Sequence, residues 1–101
     1  MNNTDQVIEI VTYRVKADQV STYAHLAEIT NTFLHNQPGF IRRQTLQDHQ
    51  EGALFTDIVT WRTLEDAQTA TQASQQEASL VPFFEATEEV VTFGHYRPFQ
   101  P

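Results

Sequence analysis

The sequence predicts an α+β fold in which one four-stranded antiparallel sheet carries two helices on a single face. Three observations predict it. Segments rich in β-branched residues alternate with segments of helical periodicity in the order β-α-β-β-α-β. The two middle strand segments are joined by a short turn-forming stretch, whereas the other connections are long enough to be helices. The chain has 101 residues, room for a single domain over 1–101 with a core spanning about residues 7–97.

Val7 to Val15 reads VIEIVTYRV, and six of its nine residues are β-branched, which favours a packed strand. Both faces of this strand are largely apolar, so it belongs inside the sheet with cover on both sides. Asp18 stands where it can cap the next segment. From Val20 to Leu34 the apolar residues fill one half of a helical wheel, and Ser21, His25, Glu28, Thr32 and Asn36 fill the other. Pro38-Gly39 ends that helix, because proline cannot continue it and glycine permits the turn. Phe40 to Gln47, FIRRQTLQ, is a more polar strand suited to a sheet edge. Asp48 to Gly52 is turn composition and leads into Ala53–Trp61, ALFTDIVTW, so the pair forms a hairpin.

Thr63-Leu64-Glu65-Asp66 opens the second helix. The Thr63 hydroxyl can accept from the backbone N–H three residues on, and the acidic pair suits the positive helix end. Leu80 to Phe84 is too apolar for a free loop and predicts a packed turn or short helix after a break at Pro82. Val90 to Tyr96 is the last strand. With right-handed crossovers this order gives the ferredoxin-like arrangement. Two helices hide one face only, yet Ile8, Ile10, Leu54, Ile58 and Val59 leave apolar surface on both. A second copy packed sheet to sheet is the simplest cover, so an obligate homodimer is expected.

Composition narrows the function. Lys+Arg is 6 and Asp+Glu is 13, for a net charge of -7, so no basic stripe exists to neutralise nucleic-acid phosphates. With no cysteine, disulfides, thiolate catalysis and Cys-ligated zinc are excluded. No histidine or carboxylate spacing demands a metal, and three glycines supply no phosphate loop. No apolar run approaches the ~20 residues that span a bilayer. The start, Met1–Gln6, is polar and predicts no signal peptide. A cytoplasmic protein without membrane or nucleic-acid partners is the expectation.

Residues two apart on a strand share a face. Phe55, Asp57, Val59 and Trp61 therefore line one side of the third strand, and Glu9, Val11 and Tyr13 one side of the first. Taken as parallel neighbours, with Tyr13 and Trp61 at one level, the two strands bring Glu9 beside Asp57. A hairpin centred on Gln50 sets Arg43 opposite Asp57. The result is a Glu9, Asp57 and Arg43 cluster under a pocket walled by Tyr13 and Trp61. Two carboxylates in one partly buried site push one pKa upward, while an arginine pulls it down. A raised carboxylate can serve as general base towards a phenolic or enolic substrate. The same cluster also reads as a structural ion pair. Trp61 and Phe83-Phe84 are either walls of an aromatic-binding pocket or plain core. His95, on the strand bordering the first, is the histidine placed to face a pocket. His25 falls on the polar helix face, His35 near that helix's C-terminus and His49 in the hairpin turn. Glu85, Glu88 and Glu89 read as solvated surface.

The strand ending TYRVKAD, the helix running into Pro38-Gly39-Phe40, and the third strand ending DIVTW before Arg62-Thr63 resemble a known family. It is that of the dimeric α/β-barrel proteins, and within them the antibiotic biosynthesis monooxygenase-like domains, over about residues 7–97. The resemblance implies a cofactor-independent monooxygenase acting on a small aromatic or quinol-type molecule. Cofactor-free quinone-forming members carry an Asn four residues before the Trp and a Tyr six residues after it. Here Trp61 matches, while Asp57 and Ala67 stand at the other two places. Haem-degrading members use an Asn, a Trp and a His, and the corresponding places hold Tyr13, Ala70 and about Leu80, so no haem site is implied. Thr71 stands near where many members place a His.

Two readings result. In the first, Asp57, Trp61 and Glu9 are catalytic, Tyr13, Arg43, Phe84 and His95 touch the substrate, and no cofactor is used. Asp57→Asn then abolishes turnover and leaves the dimer intact. In the second, the domain is a non-catalytic module for binding a small hydrophobic ligand or for dimerisation. A cavity of ~300 Å³ or more containing Asp57 favours the first, and a pocket packed solid by Trp61, Phe55 and Phe84 the second.

Overall fold

Strand β1 (Val7–Val15) leads through a 3-10 segment, Ala17–Thr22, into α1 (Tyr23–His35). The hairpin β2 (Phe40–Gln47) and β3 (Leu54–Trp61) precedes α2 (Leu64–Ser74). A 3-10 turn, Ala78–Leu80, then runs into α3 (Val81–Ala86) and β4 (Thr87–Tyr96). This computed structural model describes residues 6–101. The residues before them, on which the expectation about a signal peptide rests, lie outside the described residues. The strands form one antiparallel sheet in the order β2-β3-β1-β4, the ferredoxin-like α+β fold. The molecule measures 44 × 32 × 17 Å, and the short axis is the thickness of one sheet plus one helix layer. No helix among the described residues is long and apolar enough to cross a membrane.

The core lies between the sheet and the helices. Tyr13, Val15 and Phe55 pack with Tyr23 and Ala86 at one end. Val59 and Trp61 pack with Ala67 and Ala70 at the other. Polar β2 takes a sheet edge, as its composition predicts. Thr63 caps α2: the Asp66 N–H donates to Thr63 Oγ1 at 3.0 Å. Gly39 has φ 81°, and a Cβ there would come within 2.1 Å of the Asp66 carboxylate, so the turn into β2 requires glycine.

Five expectations need correction. First, β1 and β3 are antiparallel rather than parallel. A helical crossover makes β2 run with β1, and the tight hairpin then reverses the chain into β3. Val7 therefore pairs with Trp61, Glu9 with Val59 and Tyr13 with Phe55, so Tyr13 and Trp61 stand at opposite ends of the strand pair. Second, the hairpin centres one residue later, on Glu51, which puts Val59 opposite Arg43 and Thr45 opposite Asp57. The turn is set by Asp48, whose carboxylate accepts from the N–H groups of Gln50 (3.0 Å) and Glu51 (2.8 Å).

Third, Asp18 caps nothing. The chain winds first into the 3-10 segment, and neither it nor α1 has a side-chain cap. The N–H groups of Val15 and Lys16 are held by the Ala53 and Ala86 carbonyls at 2.8 Å each, so the turn tightens as soon as the strand ends. Fourth, Pro82 starts α3 instead of breaking a helix, since its missing N–H falls where no intrahelical partner exists. Fifth, Val59 does not add to the open face. It points at the helices and is 4% exposed, while Ile8, Ile10, Leu54 and Ile58 carry the apolar character of the other side.

Candidate functional site

Between the helices and the sheet lies a cavity of about 220 Å³. Six of the seven residues given a catalytic or substrate-binding role line it, Glu9, Tyr13, Arg43, Asp57, Trp61 and Phe84, and so do Phe83, Val11 and Val59. Antiparallel pairing sorts them into two groups. Asp57 falls near Tyr13, and Glu9 falls near Trp61, the reverse of the partners that parallel strands would give.

At the first end, Asp57 is 5% exposed and fully engaged. The Tyr13 hydroxyl donates to Asp57 Oδ1 at 3.0 Å. Arg43 donates to Oδ2 from Nε at 3.2 Å and from Nη2 at 2.6 Å. Although β-pairing sets Arg43 two residues from Asp57, its long side chain spans the diagonal. Its Nη1 reaches α1, donating to the Ala27 carbonyl at 3.2 Å and to Asn31 Oδ1 at 2.9 Å. The Tyr23 hydroxyl completes the chain by donating to that of Tyr13. Burial opposes the Arg43 charge, but the adjoining Asp57 carboxylate more than offsets it and raises the guanidinium pKa above its ordinary value. Burial also raises both tyrosine pKa values, with Asp57 adding to the effect, so both phenols stay protonated. Tyr23 and Asn31 were not singled out in the sequence. Tyr23 reads there as one apolar residue of α1, and Asn31 carries no pattern of its own.

At the other end, Glu9 and Trp61 face the cavity with unused hydrogen-bonding capacity. Among the described residues, Glu9 Oε1, Trp61 Nε1 and His95 Nε2 are all buried without a hydrogen bond of good geometry. Glu9 Oε1 and His95 Nε2 are 3.4 Å apart. Burial raises the Glu9 pKa, the His95 ring and the Trp61 N–H moderate the rise, and the Asp57 charge adds to it. His95 does not line the cavity. It opens on a second, shallower hollow of about 610 Å³ beyond the sheet end, shared with Glu65, Tyr96 and Arg97. His25, His35 and His49 are exposed. Phe55 packs in the core beside Tyr13 and Tyr23 rather than in the cavity wall. Phe93, which lines the cavity, went unnoticed in the sequence, although its spacing of two from His95 places both on one face of β4.

The profile of the antibiotic biosynthesis monooxygenase family matches residues 6–80. No protein of curated function matches the sequence. Solved structures superpose closely. SnoaB of Streptomyces nogalater, a cofactor-independent oxygenase, is 19% identical with a TM-score of 0.71, over 96% of each chain. A proposed antibiotic biosynthesis monooxygenase of Nitrosomonas europaea is 17% identical with a TM-score of 0.75, over 100% of this chain and 97% of that one. Another, from Bordetella bronchiseptica, is 12% identical with a TM-score of 0.83, over 95% and 99%. At these identities the structural likeness shows the fold alone.

Proposed function

Because the chain belongs to the antibiotic biosynthesis monooxygenase family, we propose that its cavity binds a small phenolic or quinol-type aromatic and oxidises it with dioxygen. Glu9 takes the proton of the substrate hydroxyl, and the Trp61 N–H donates to the oxygen as it becomes a phenolate. Tyr13 and Phe84 hold the ring flat. Asp57, with both oxygens occupied by Tyr13 and Arg43, shapes the far wall. The phenolate supplies the electrons. One oxygen atom enters the ring to give a quinone, and the other leaves as water with the two displaced hydrogens. A single observation carries this reading: the two residues that a phenol's hydroxyl would engage, Glu9 and Trp61, line the cavity, and among the described residues Glu9 Oε1 and Trp61 Nε1 are buried without a hydrogen bond of good geometry.

The test uses 1-naphthol as probe, with oxygen uptake and 1,4-naphthoquinone as readouts. The wild-type protein consumes one oxygen per quinone formed. Glu9→Gln lowers kcat about 100-fold or more, the usual scale for a lost general base. Oxygen uptake by the wild type no faster than in buffer sinks the proposal.

A cavity of about 220 Å³ falls below the ~300 Å³ where ligand pockets usually begin, and this favours a second reading, a non-catalytic binding module. Calorimetric binding of 1-naphthol without oxygen uptake distinguishes it. In either reading we propose a homodimer closed over the open sheet face, where Tyr96 is 55% and Leu46 43% exposed beside half-buried Ile8, Ile10, Leu54 and Ile58.

A further inference from the structure

We propose that His95 is a positioning residue that links the Glu9 carboxyl to solvent, so that the pair carries protons between the cavity and the outer hollow. The inference rests on the role assigned to Glu9 above and extends it. A base sealed in a cavity accepts one proton and is then idle unless the proton can leave. The register supplies an exit, because Glu9 and His95 are directly paired across β1 and β4. Glu9 lines the cavity, His95 lines the hollow, and no third side chain need intervene across 3.4 Å. His95 Nε2 is buried, while the side chain as a whole is 23% exposed, so solvent reaches the ring elsewhere. An edge-on contact with Phe93, centroids 5.2 Å apart, fixes the ring plane.

The step balances. The ligand O–H bond breaks and the proton joins Glu9. It passes to Nε2 of the His95 ring, and the other ring nitrogen releases its own proton to water in the hollow. Glu9 is again a carboxylate. The charged and titratable groups around the pair come from every neighbouring element: Asp57 of β3 with Arg43 of β2 and Tyr13 of β1 across the cavity, and Glu65 of α2 with Arg97 after β4 in the hollow. Burial and the Asp57 charge raise the Glu9 carboxyl pKa, which strengthens it as a base towards the ligand hydroxyl.

Two measurements on the full chain test this. The first needs no ligand: the Glu9 carboxyl is titrated by carbon NMR in the wild type and in His95→Gln. Losing the ring moves the Glu9 midpoint upward by about one pH unit. The second is turnover of 1-naphthol. His95→Ala lowers kcat about tenfold or more with little change in KM, added imidazole restores it, and the change does no further harm in Glu9→Gln. A Glu9 midpoint unmoved in His95→Gln overturns the proposal, with or without turnover. So does an undiminished kcat in His95→Ala. If the wild type leaves naphthol untouched while the Glu9 midpoint moves as stated, the enzymatic reading fails and the proton link between Glu9 and His95 is supported.

Discussion

Asp57 and Glu9 are both carboxylates on one sheet face, yet their surroundings give them opposite characters. Asp57 spends every oxygen on Tyr13 and Arg43, while among the described residues Glu9 Oε1 is buried with no hydrogen bond of good geometry, 3.4 Å from His95 Nε2. Arg43 is 2% exposed in its side chain and ties β3 to α1 through Asp57, Ala27 and Asn31. Arg43→Met leaves Asp57 as an uncompensated buried charge, and urea denaturation is expected to show a loss of about 3–5 kcal/mol. Glu9 predicts a pH signature of the opposite kind. Its folded pKa is raised above 4.5, so its contribution to stability is full below pH 4.5 and is lost as the pH rises through the folded value. Glu9→Gln removes this dependence. Calorimetric melts should show the variant gaining in Tm over wild type at pH 7, with the gain vanishing near pH 4.

At the scale of elements, the sheet register decides what the side chains can do. A one-residue shift in the hairpin centre moves each cross-strand partner by two positions, and Arg43 reaches Asp57 only because its side chain covers the diagonal. A lysine there would have one ammonium in place of a fork. The Asp48 turn fixes that register with two backbone hydrogen bonds, which also lower the Asp48 pKa. α2 depends more on its cap than on packing, because its buried residues are only Ala67 and Ala70. Thr63→Ala is expected to cost about 1 kcal/mol, read as a lower denaturation midpoint with the slope unchanged.

For the whole molecule, thinness is the governing fact. A slab 17 Å thick has one helix layer, and the opposite sheet face keeps Ile8, Ile10, Leu54 and Ile58 only partly covered. The proposed dimer covers them. Sedimentation equilibrium at micromolar concentration should give twice the chain mass for the wild type and the chain mass for Ile10→Lys with Ile58→Lys. A wild-type monomer under those conditions removes the dimer and the covered face together.

The sequence alone determined the order of elements, the polar edge strand, the Thr63 cap and the face on which Glu9, Tyr13, Asp57 and Trp61 stand, because each follows from local periodicity and short-range chemistry. Only the tertiary structure decided which of these residues meet. Strand direction and hairpin centre are set by how the chain returns from a helix and by where Asp48 closes its turn, over separations that no residue pattern encodes. For that reason Tyr13 came to Asp57, Glu9 to Trp61 and His95, and Tyr23 and Asn31 entered the cluster unannounced.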